Sequence, residues 1–249
     1  MPKRKHMQKN KVRILIIMLL LISSPLSAQY KHTAMFGIKA GVSYGIISEL
    51  STILVSEGYY SNYKFSNSEK AAPSASLFFH YRPTKLWLGM EAVVMYYQQG
   101  ASTTYTDINT LGYTVDFRYH YAGFGAYLKL YPYAGLHLDL GVRAGFCLTP
   151  EQITYSSNQE DDIFARFHYE TVAATQDALR DKLKGKTDIG VGGSLGYEFS
   201  AGVSVQVTYH YSVLDLIRTE YNLYNWTETT NHAHQFQFSV GYAFKASRR

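Results

Sequence analysis

The residues best placed by type to do chemistry are a His-x-Ser pair late in the chain. His210 and Ser212 stand two positions apart in Val203–Val213, where polar and apolar residues alternate. Because successive strand side chains point to opposite faces, both fall on one face. An activated serine needs a base within hydrogen-bond reach and a third group that orients the base. Glu198 and Asp188 are the candidate acids, and no spacing in the sequence fixes either of them beside His210.

A second candidate site is a set of charged residues on the polar faces of alternating segments. An unpaired buried charge is strongly unfavourable, so residues of opposite sign on such faces are expected to pair. The sequence therefore predicts a salt-bridge network, and a gated ion or proton path is the functional alternative. The members are Lys39, Glu91, Lys129, Asp139, Arg143, Asp188 and Glu198.

The histidines do not form a pattern typical of a metal site. His80, His137 and His210 fall on the polar faces of separate segments, and His232 and His234 share a parity near the end of the chain. None of these spacings resembles that of known metal ligands. The sequence predicts neither a metal nor a cofactor.

These residues are carried by eight segments with strand character. The last shows the pattern clearly: Phe236, Phe238, Val240, Tyr242 and Phe244 alternate with small or polar residues. Such alternation predicts strands with one apolar and one polar face. The segments are Met35–Gly45, Ser74–Arg82, Leu86–Gln98, Thr114–Tyr131, Leu136–Cys147, Asp188–Phe199, Val203–Val213 and His234–Phe244.

In the segment Thr114–Tyr131, the sequence does not decide which residues of the first half face outward. The outward parity of Ala122 and Phe124, extended backward, also places Arg118 and His120 outward. Either the strand leaves the bilayer at that point or a bulge resets its phase.

The connections between the segments predict the architecture. Links two, four and six are tight, whereas links one, three, five and seven run from about 15 to 40 residues in the printed sequence. Strict alternation of short and long links is typical of an up-and-down barrel with short periplasmic turns and long outer loops. We therefore predict an all-β fold, an eight-stranded antiparallel transmembrane β-barrel in the cell outer membrane.

The first 28 residues predict a cleaved secretory signal peptide. Six Lys and Arg residues precede the apolar run Ile14–Ile22, and a small-residue segment ends at Ala28. These six belong to a total of 24, and no acid lies among them, so 18 basic and 19 acidic residues remain, a net charge of −1. The basic character thus belongs to the signal, and no nucleic-acid partner is expected. We assign 1–28 to the signal peptide and 29–249 to the barrel domain.

Link five contains a predicted surface helix. Thr171 is the expected N-cap of Thr171–Lys186, Leu179 and Leu183 lie near one face, and lysines occupy the C-terminal end. The role of the whole link, Pro150–Lys186, is open between partner binding and a solvated loop.

Three stretches resemble the PorT-like outer-membrane β-barrel family. Phe36–Gly45 contains its Gly-x-Lys-x-Gly pattern, Leu88–Ala101 its inward Glu before an apolar run, and Tyr127–Phe146 its fourth and fifth strands. Gly123 and Gly125 depart from it, because members often carry Glu and Pro there. The resemblance implies an outer-membrane location, and the name-giving member is similar to components of a protein secretion and gliding-motility system.

Three functions follow as expectations. The first is a monomeric, non-enzymatic barrel with a plugged lumen that acts through its surface loops, with membrane lipid and envelope or secretion proteins as partners. The second is a lipid-modifying hydrolase, since the His-x-Ser pair is similar to that of outer-membrane lipid A deacylases. Its parity, however, points into the lumen and away from lipid. The third is a small channel.

Overall fold

A computed structural model describes most of the chain beyond its first 33 residues. The predicted signal peptide, 1–28, and the acidic run Gln159–Asp162 lie outside the described residues. The described residues are 34–48, 50, 63–83, 87–107, 112–133, 135–158, 171–218 and 230–244.

The described chain is almost entirely strand, with one helix in the long fifth link. The strands are β1 (Ala34–Ile47), β2 (Tyr63–Tyr81), β3 (Leu88–Asp107), β4 (Gly112–Tyr133), β5 (Leu136–Cys147), β6 (Ile153–Ser157), β7 (Lys184–Gly185), β8 (Asp188–Glu198), β9 (Val203–Ser212), β10 (Ile217–Arg218) and β11 (Ala233–Phe244), and the helix is α1 (Val172–Lys182).

Eight of these strands close into a barrel, which confirms the predicted fold. Neighbours pair antiparallel in the order β1–β2–β3–β4–β5–β8–β9–β11, and β11 returns to pair with β1. The β1–β11 pairing that closes the barrel is continuous from Phe36–Phe244 to Ile47–Ala233. Because every strand is bonded on both sides, the barrel has no open edge to satisfy within a membrane.

The predicted faces are confirmed. Phe36, Phe124, Leu140 and Phe236 on the outer wall are between 56% and 63% exposed. Inward Lys129 is 1% exposed. An apolar outer wall around a polar interior is the arrangement of a barrel that spans a membrane.

The two ends of the barrel differ. The turn end carries the tight β2–β3, β4–β5 and β8–β9 connections, and the loop end carries the longer segments. Gly135 (φ 78°) and Gly202 (φ 91°) adopt left-handed conformations in two of the tight turns. A β-carbon at these positions would lie 2.5 and 2.8 Å from the carbonyl oxygens of Glu198 and Ala243, so glycine suits these turns for two reasons.

The prediction of a long third link is wrong. Strands β3 and β4 pair without interruption from Leu88–Leu130 to Thr106–Gly112, so only 108–111 connect them. The polar residues that suggested a loop belong to a hairpin that continues past the apolar wall. The unbroken β3–β4 register also shows which face of β4 each side chain occupies, because no bulge interrupts the pairing with β3. Arg118 and His120 therefore point outward, at a level where the strand has left the apolar wall.

The one register shift between β2 and β3 lies in β2. The pairing jumps from Glu69–Ala101 to Ser74–Tyr97, so β2 holds one extra residue there. Pro73 lies in this bulge and has no N–H to offer β3, although it still aligns with Val42 of β1.

A folded cap covers the loop end. Strand β6 pairs with the β4 extension, and β7 pairs with β10, which joins the fifth link to the seventh. The cap core is apolar and aromatic. Its fully buried members include Phe117, Tyr119, Tyr121, Ile153, Leu183, Leu216 and Ile217.

Helix α1 belongs to this cap. Thr171 is its N-cap, as predicted, and accepts a hydrogen bond from Ala174 N at 3.2 Å. Leu179 and Leu183 are 2% and 0% exposed, which confirms the predicted apolar face. The helix ends at Lys182 rather than Lys186, because Leu183 is extended and leads into β7. No helix among the described residues is long and apolar enough to cross a membrane.

Candidate functional site

The lumen near the turn end is organised around Lys129 of β4. Its Nζ lies 2.8 Å from Glu198 Oε1 and 3.1 Å from Glu91 Oε2, while Lys39 pairs with the other oxygen of Glu91. Lys129 and Glu91 are 1% and 2% exposed. The inward parity of β1, β3, β4 and β8 places these four charges at one level of the barrel, where they satisfy one another.

Two rings extend this cluster towards the turn end. The hydroxyl of Tyr131 donates to Glu198 Oε1 at 3.0 Å and lies 3.3 Å from His80 Nε2. The guanidinium of Arg82 lies over the Tyr131 ring, 3.7 Å from its centroid. The carboxylate of Glu198 therefore has a phenol and an ammonium as partners in a buried site.

Asp139 forms the adjoining part of the same network. Its Oδ1 lies 2.7 Å from His137 Nδ1, and its Oδ2 accepts hydrogen bonds from Ser194 Oγ and Gln206 Nε2, each at 2.9 Å. The amide oxygen of Gln206 accepts from Lys39 Nζ at 3.1 Å. Gln206 thus joins the Asp139 group to the Lys39–Glu91 pair.

A second network lies nearer the loop end, around Asp188. Arg143 Nη2 is 3.0 Å from Asp188 Oδ2, which also accepts from Tyr97 Oη at 2.6 Å and from Gln99 Nε2 at 3.0 Å. Ser212 Oγ donates to Asp188 Oδ1 at 2.5 Å. Asp188 and Ser212 are both 0% exposed. Both oxygens of this buried carboxylate therefore have protein partners, as buried polar groups require.

This second network also compensates for the bulge in β2. Arg143 Nη1 donates to Gln235 Oε1 at 2.7 Å, and Gln235 Nε2 donates to the backbone oxygen of Gln98 at 3.0 Å. Gln98 lies in β3 opposite the bulge, where regular pairing with β2 is interrupted. A side chain of β11 therefore reaches across the lumen to satisfy a carbonyl on β3.

The structure brings all seven predicted network residues into these two clusters. It does not join them into one chain of salt bridges: Lys39, Glu91, Lys129 and Glu198 pair at one level, and Arg143 and Asp188 at another. Asp139 bonds to the first group through neutral residues and His137. With three cations and four carboxylates, the predicted set leaves one excess negative charge, and His137 lies beside the carboxylate of Asp139.

Sequence reasoning missed the neutral members of the networks. Like the charged residues, they occupy the positions of each strand that point into the lumen, and this position was the one sequence feature that could have identified them. A hydroxyl or amide is compatible with both an exposed and a buried position, so its presence on a polar face did not mark it as a partner. The missed residues are Tyr97, Gln99, Ser194, Gln206 and Gln235.

The three hydrolase candidates are not assembled into a triad. Ser212 and His210 both face the lumen and are 0% and 4% exposed. Glu198 aligns with Ser204, eight positions before Ser212 on β9, or about 26 Å along the strand. The alternative acid, Asp188, bonds to Ser212 itself and to Arg143, so it does not orient an intervening histidine.

A small cavity of mixed lining lies in the lumen between the two levels. Its volume is about 40 Å³, and Lys39, Glu91, Thr208 and His210 help to line it. At roughly 10–15 Å³ for each water, it has room for about three water molecules. Among the described residues, no three His, Cys, Asp or Glu side chains form a group able to hold a metal ion.

A closed antiparallel barrel with an apolar wall and a charged, internally paired lumen defines the class of integral β-barrel membrane proteins. The comparison with protein families identifies the branch. Residues 14–244 match the family described as outer membrane protein beta-barrel domain, and the chain belongs to this family. It is therefore an outer-membrane protein.

The comparison with solved structures gives similar chains of low sequence identity. The chain is similar to Neisserial surface protein A (13% identity, 86% of this chain and 100% of that one, TM-score 0.41). It is also similar to OprG from Pseudomonas aeruginosa (14%, 88% and 99%, 0.40) and to Ail, the attachment invasion locus protein of Yersinia pestis (13%, 86% and 100%, 0.38). The comparison with curated proteins gives no match.

Proposed function

We propose that this outer-membrane barrel is a non-conducting, non-enzymatic interaction protein that presents its folded cap to other envelope proteins. The observation that carries the proposal is the cap core. Leu179 and Leu183 from the fifth link and Leu216 and Ile217 from the seventh pack with Phe117 of the β4 extension. Long links that share a core offer a partner a surface of defined shape, and little ordering entropy remains to be lost on binding.

The lumen supports the non-conducting part of this proposal. Lys129 and Arg143 are each held by carboxylates at a different level, and both are almost fully buried. Eight strands leave an interior that side chains can fill, unlike the wider porins. Ion passage would require these pairs to separate inside the barrel, at a cost of several kcal/mol for each buried charge.

The separation of His210 and Ser212 from Glu198 supports the non-enzymatic part. Ser212 donates its hydroxyl hydrogen to Asp188, and this carboxylate is already paired with Arg143, which makes it a poor base for removing the serine proton. The pair also faces the lumen, whereas an acyl chain lies outside the wall.

The partners that we propose are envelope proteins, including components of protein secretion. The support is the resemblance of Phe36–Gly45 and Leu88–Ala101 to the PorT-like family. Both stretches lie in the barrel wall, in β1 and β3, and they supply its inward Lys39 and Glu91.

A site-specific crosslinking experiment in intact envelopes tests this function. A photoreactive residue at Ala174 or Asp177, both on the exposed side of α1, should yield a discrete crosslinked protein after capture of the barrel. The matched control is the same residue at Ser200, which is also exposed but lies in the β8–β9 turn at the other end. Identical products from both ends, or none from α1, would contradict the proposal.

A further inference from the structure

The outer wall carries a polar cluster where β3 and β4 pass the end of the apolar belt. Tyr96 Oη lies 2.5 Å from His120 Nδ1, and Gln98 Nε2 donates to Tyr96 Oη at 3.0 Å. Directly towards the turn end, Val94 and Phe124 are 64% and 56% exposed on the same face. The cluster thus lies at the boundary between an apolar wall and the hairpin beyond it.

The contacts around His120 favour one position for the hydrogen of its neutral ring. Gln98 Nε2, which can only donate, lies 3.3 Å from His120 Nδ1, and the Tyr96 hydroxyl approaches the same nitrogen. A nitrogen that faces two donors is the acceptor, so the hydrogen of the neutral ring is on Nε2. His120 is part-exposed, and Nε2 is the ring nitrogen that this group of contacts leaves to an outside ligand.

Arg118 lies two residues from His120, and therefore on the same face of β4. Its side chain is exposed, and its cross-strand partner is Gly100, which has no side chain to cover it. Two positions further along this face of β4 lies Asp116, whose carboxylate is 2.8 Å from Lys70 Nζ. That ion pair offsets the acid, so the face keeps the positive charge of Arg118.

We propose that Arg118 and His120 form a binding site for the phosphate group of an anionic membrane lipid. The planar guanidinium offers paired donors that match phosphate oxygens, and the imidazole N–H adds a third donor. The occupant is a lipid because the site borders the exposed Val94–Phe124 wall on the outer surface of a membrane-spanning barrel. A headgroup would then lie against Arg118 and His120 while its acyl chains cover that wall. This inference rests on the barrel's location and is independent of the proposed partners of the cap.

The barrel contains a matched site without the arginine. Tyr209 Oη lies 2.8 Å from His234 Nδ1, with the same diagonal offset between neighbouring strands. The residues on the same outer face beyond this pair are Tyr211 and His232, and neither carries a guanidinium. A Tyr–His pair alone should therefore bind phosphate lipid more weakly than the pair beside Arg118.

The test is native mass spectrometry of the full barrel from micelles that contain phosphatidic acid and phosphatidylcholine. We expect the unaltered protein to retain phosphatidic acid selectively, and both Arg118→Gln and His120→Phe to reduce its retention about tenfold. Arg118→Lys should retain an intermediate amount, and His234→Phe should behave like the unaltered protein. Heat-modifiable migration on gels checks that each variant is folded.

Three results would overturn the proposal. The first is equal retention by Arg118→Gln and the unaltered protein. The second is an equal loss in His234→Phe, which would mean that any rim histidine suffices. The third is full displacement of the retained lipid by inorganic phosphate, which would make the site one for a free anion.

Discussion

The barrel lumen and the cap are two cores built on opposite principles. Inside the membrane, the lumen is filled with charges and amides, such as Lys129 and Asp188, each held by several partners. Outside the apolar belt, the cap is filled with apolar and aromatic side chains, such as Phe117 and Leu183. The cap buries apolar side chains, as soluble proteins do. The lumen buries polar ones instead, because the apolar residues of the strands face the lipid on the outer wall.

The two cores should respond differently to the loss of a single side chain. When a buried apolar side chain is truncated, its neighbours can move partly into the space. The loss of stability is then the transfer free energy of the removed atoms plus a reduced cavity term. A buried charge network is less tolerant, because removal of one member leaves its partner charged and desolvated. We therefore expect single substitutions in the lumen to cost more than those in the cap, and to be relieved by a second change of charge.

The largest effect is expected for Lys129→Met. It leaves Glu198 without its cation and Glu91 with Lys39 alone, and breaking a buried pair in this way costs about 3–5 kcal/mol. The measurement is the free energy of unfolding by urea in lipid vesicles. The control is Lys184→Met, which removes an exposed cap pair with Glu151 worth about 0–1 kcal/mol.

A second variant separates charge from packing at this position. Adding Glu198→Gln to Lys129→Met removes the stranded carboxylate and should recover a large part of the lost stability. If the double variant is as unstable as the single one, the lumen is held by shape and not by charge pairing.

The next effect is expected in the cap. Leu183→Ala removes a fully buried side chain, and such changes cost about 2–5 kcal/mol in rigid cores. Because cap links can relax, we expect a value in the lower half of this range. Limited proteolysis should then cleave near α1, while the barrel keeps its heat-modifiable migration. Loss of the barrel fold in this variant would mean that the two cores are not separate.

The smallest effect concerns Asp116, on the β4 extension beyond the apolar belt. Partial burial acts to raise the pKa of Asp116, but hydrogen bonds from Lys70 and Ser102 more than offset it and hold this pKa below its ordinary value. A lowered pKa stabilises the folded state above the unfolded pKa of about 3.9, and the effect is lost as the pH falls through the folded value.

The pH dependence of proteolysis of the β3–β4 hairpin measures this contribution. In the unaltered protein, cleavage should rise below about pH 4. In Asp116→Asn, this acid-induced increase should be smaller, because the amide cannot be protonated in that range. The effect is small since the pair is more than one-third exposed on the Asp116 side. An unchanged profile in Asp116→Asn would show that other carboxylates dominate.

The barrel was predictable from sequence because its wall follows a two-residue period eight times. Lys39, Glu91 and Asp139 occupy the inward parity that the alternation gives them, and partners then follow from opposite charge. The cap was not predictable in the same way. Phe117 and Tyr119 lie on a strand that continues past the membrane, and nothing local shows whether Val115 to Tyr121 meets lipid, water or another link. The pairing of Ile153–Ser157 with the start of β4 and the shared core with Leu183 and Leu216 decide it.

The site was predictable only in its charged part. Asp188 was expected to pair with a cation, and it does, but its bonds to Tyr97 and Ser212 depend on how strands β3, β8 and β9 face one another across the lumen. The pairing of β8 with β9 also places Ser212 far from Glu198, a distance that the sequence did not determine.

Electrical recording across a planar lipid bilayer shows directly whether the lumen is filled by its own paired charges beneath the folded cap. With the purified barrel inserted, we expect no steady conductance above that of the bare bilayer. Stable, reproducible current steps from the unaltered protein would show an open aqueous path and would contradict this expectation.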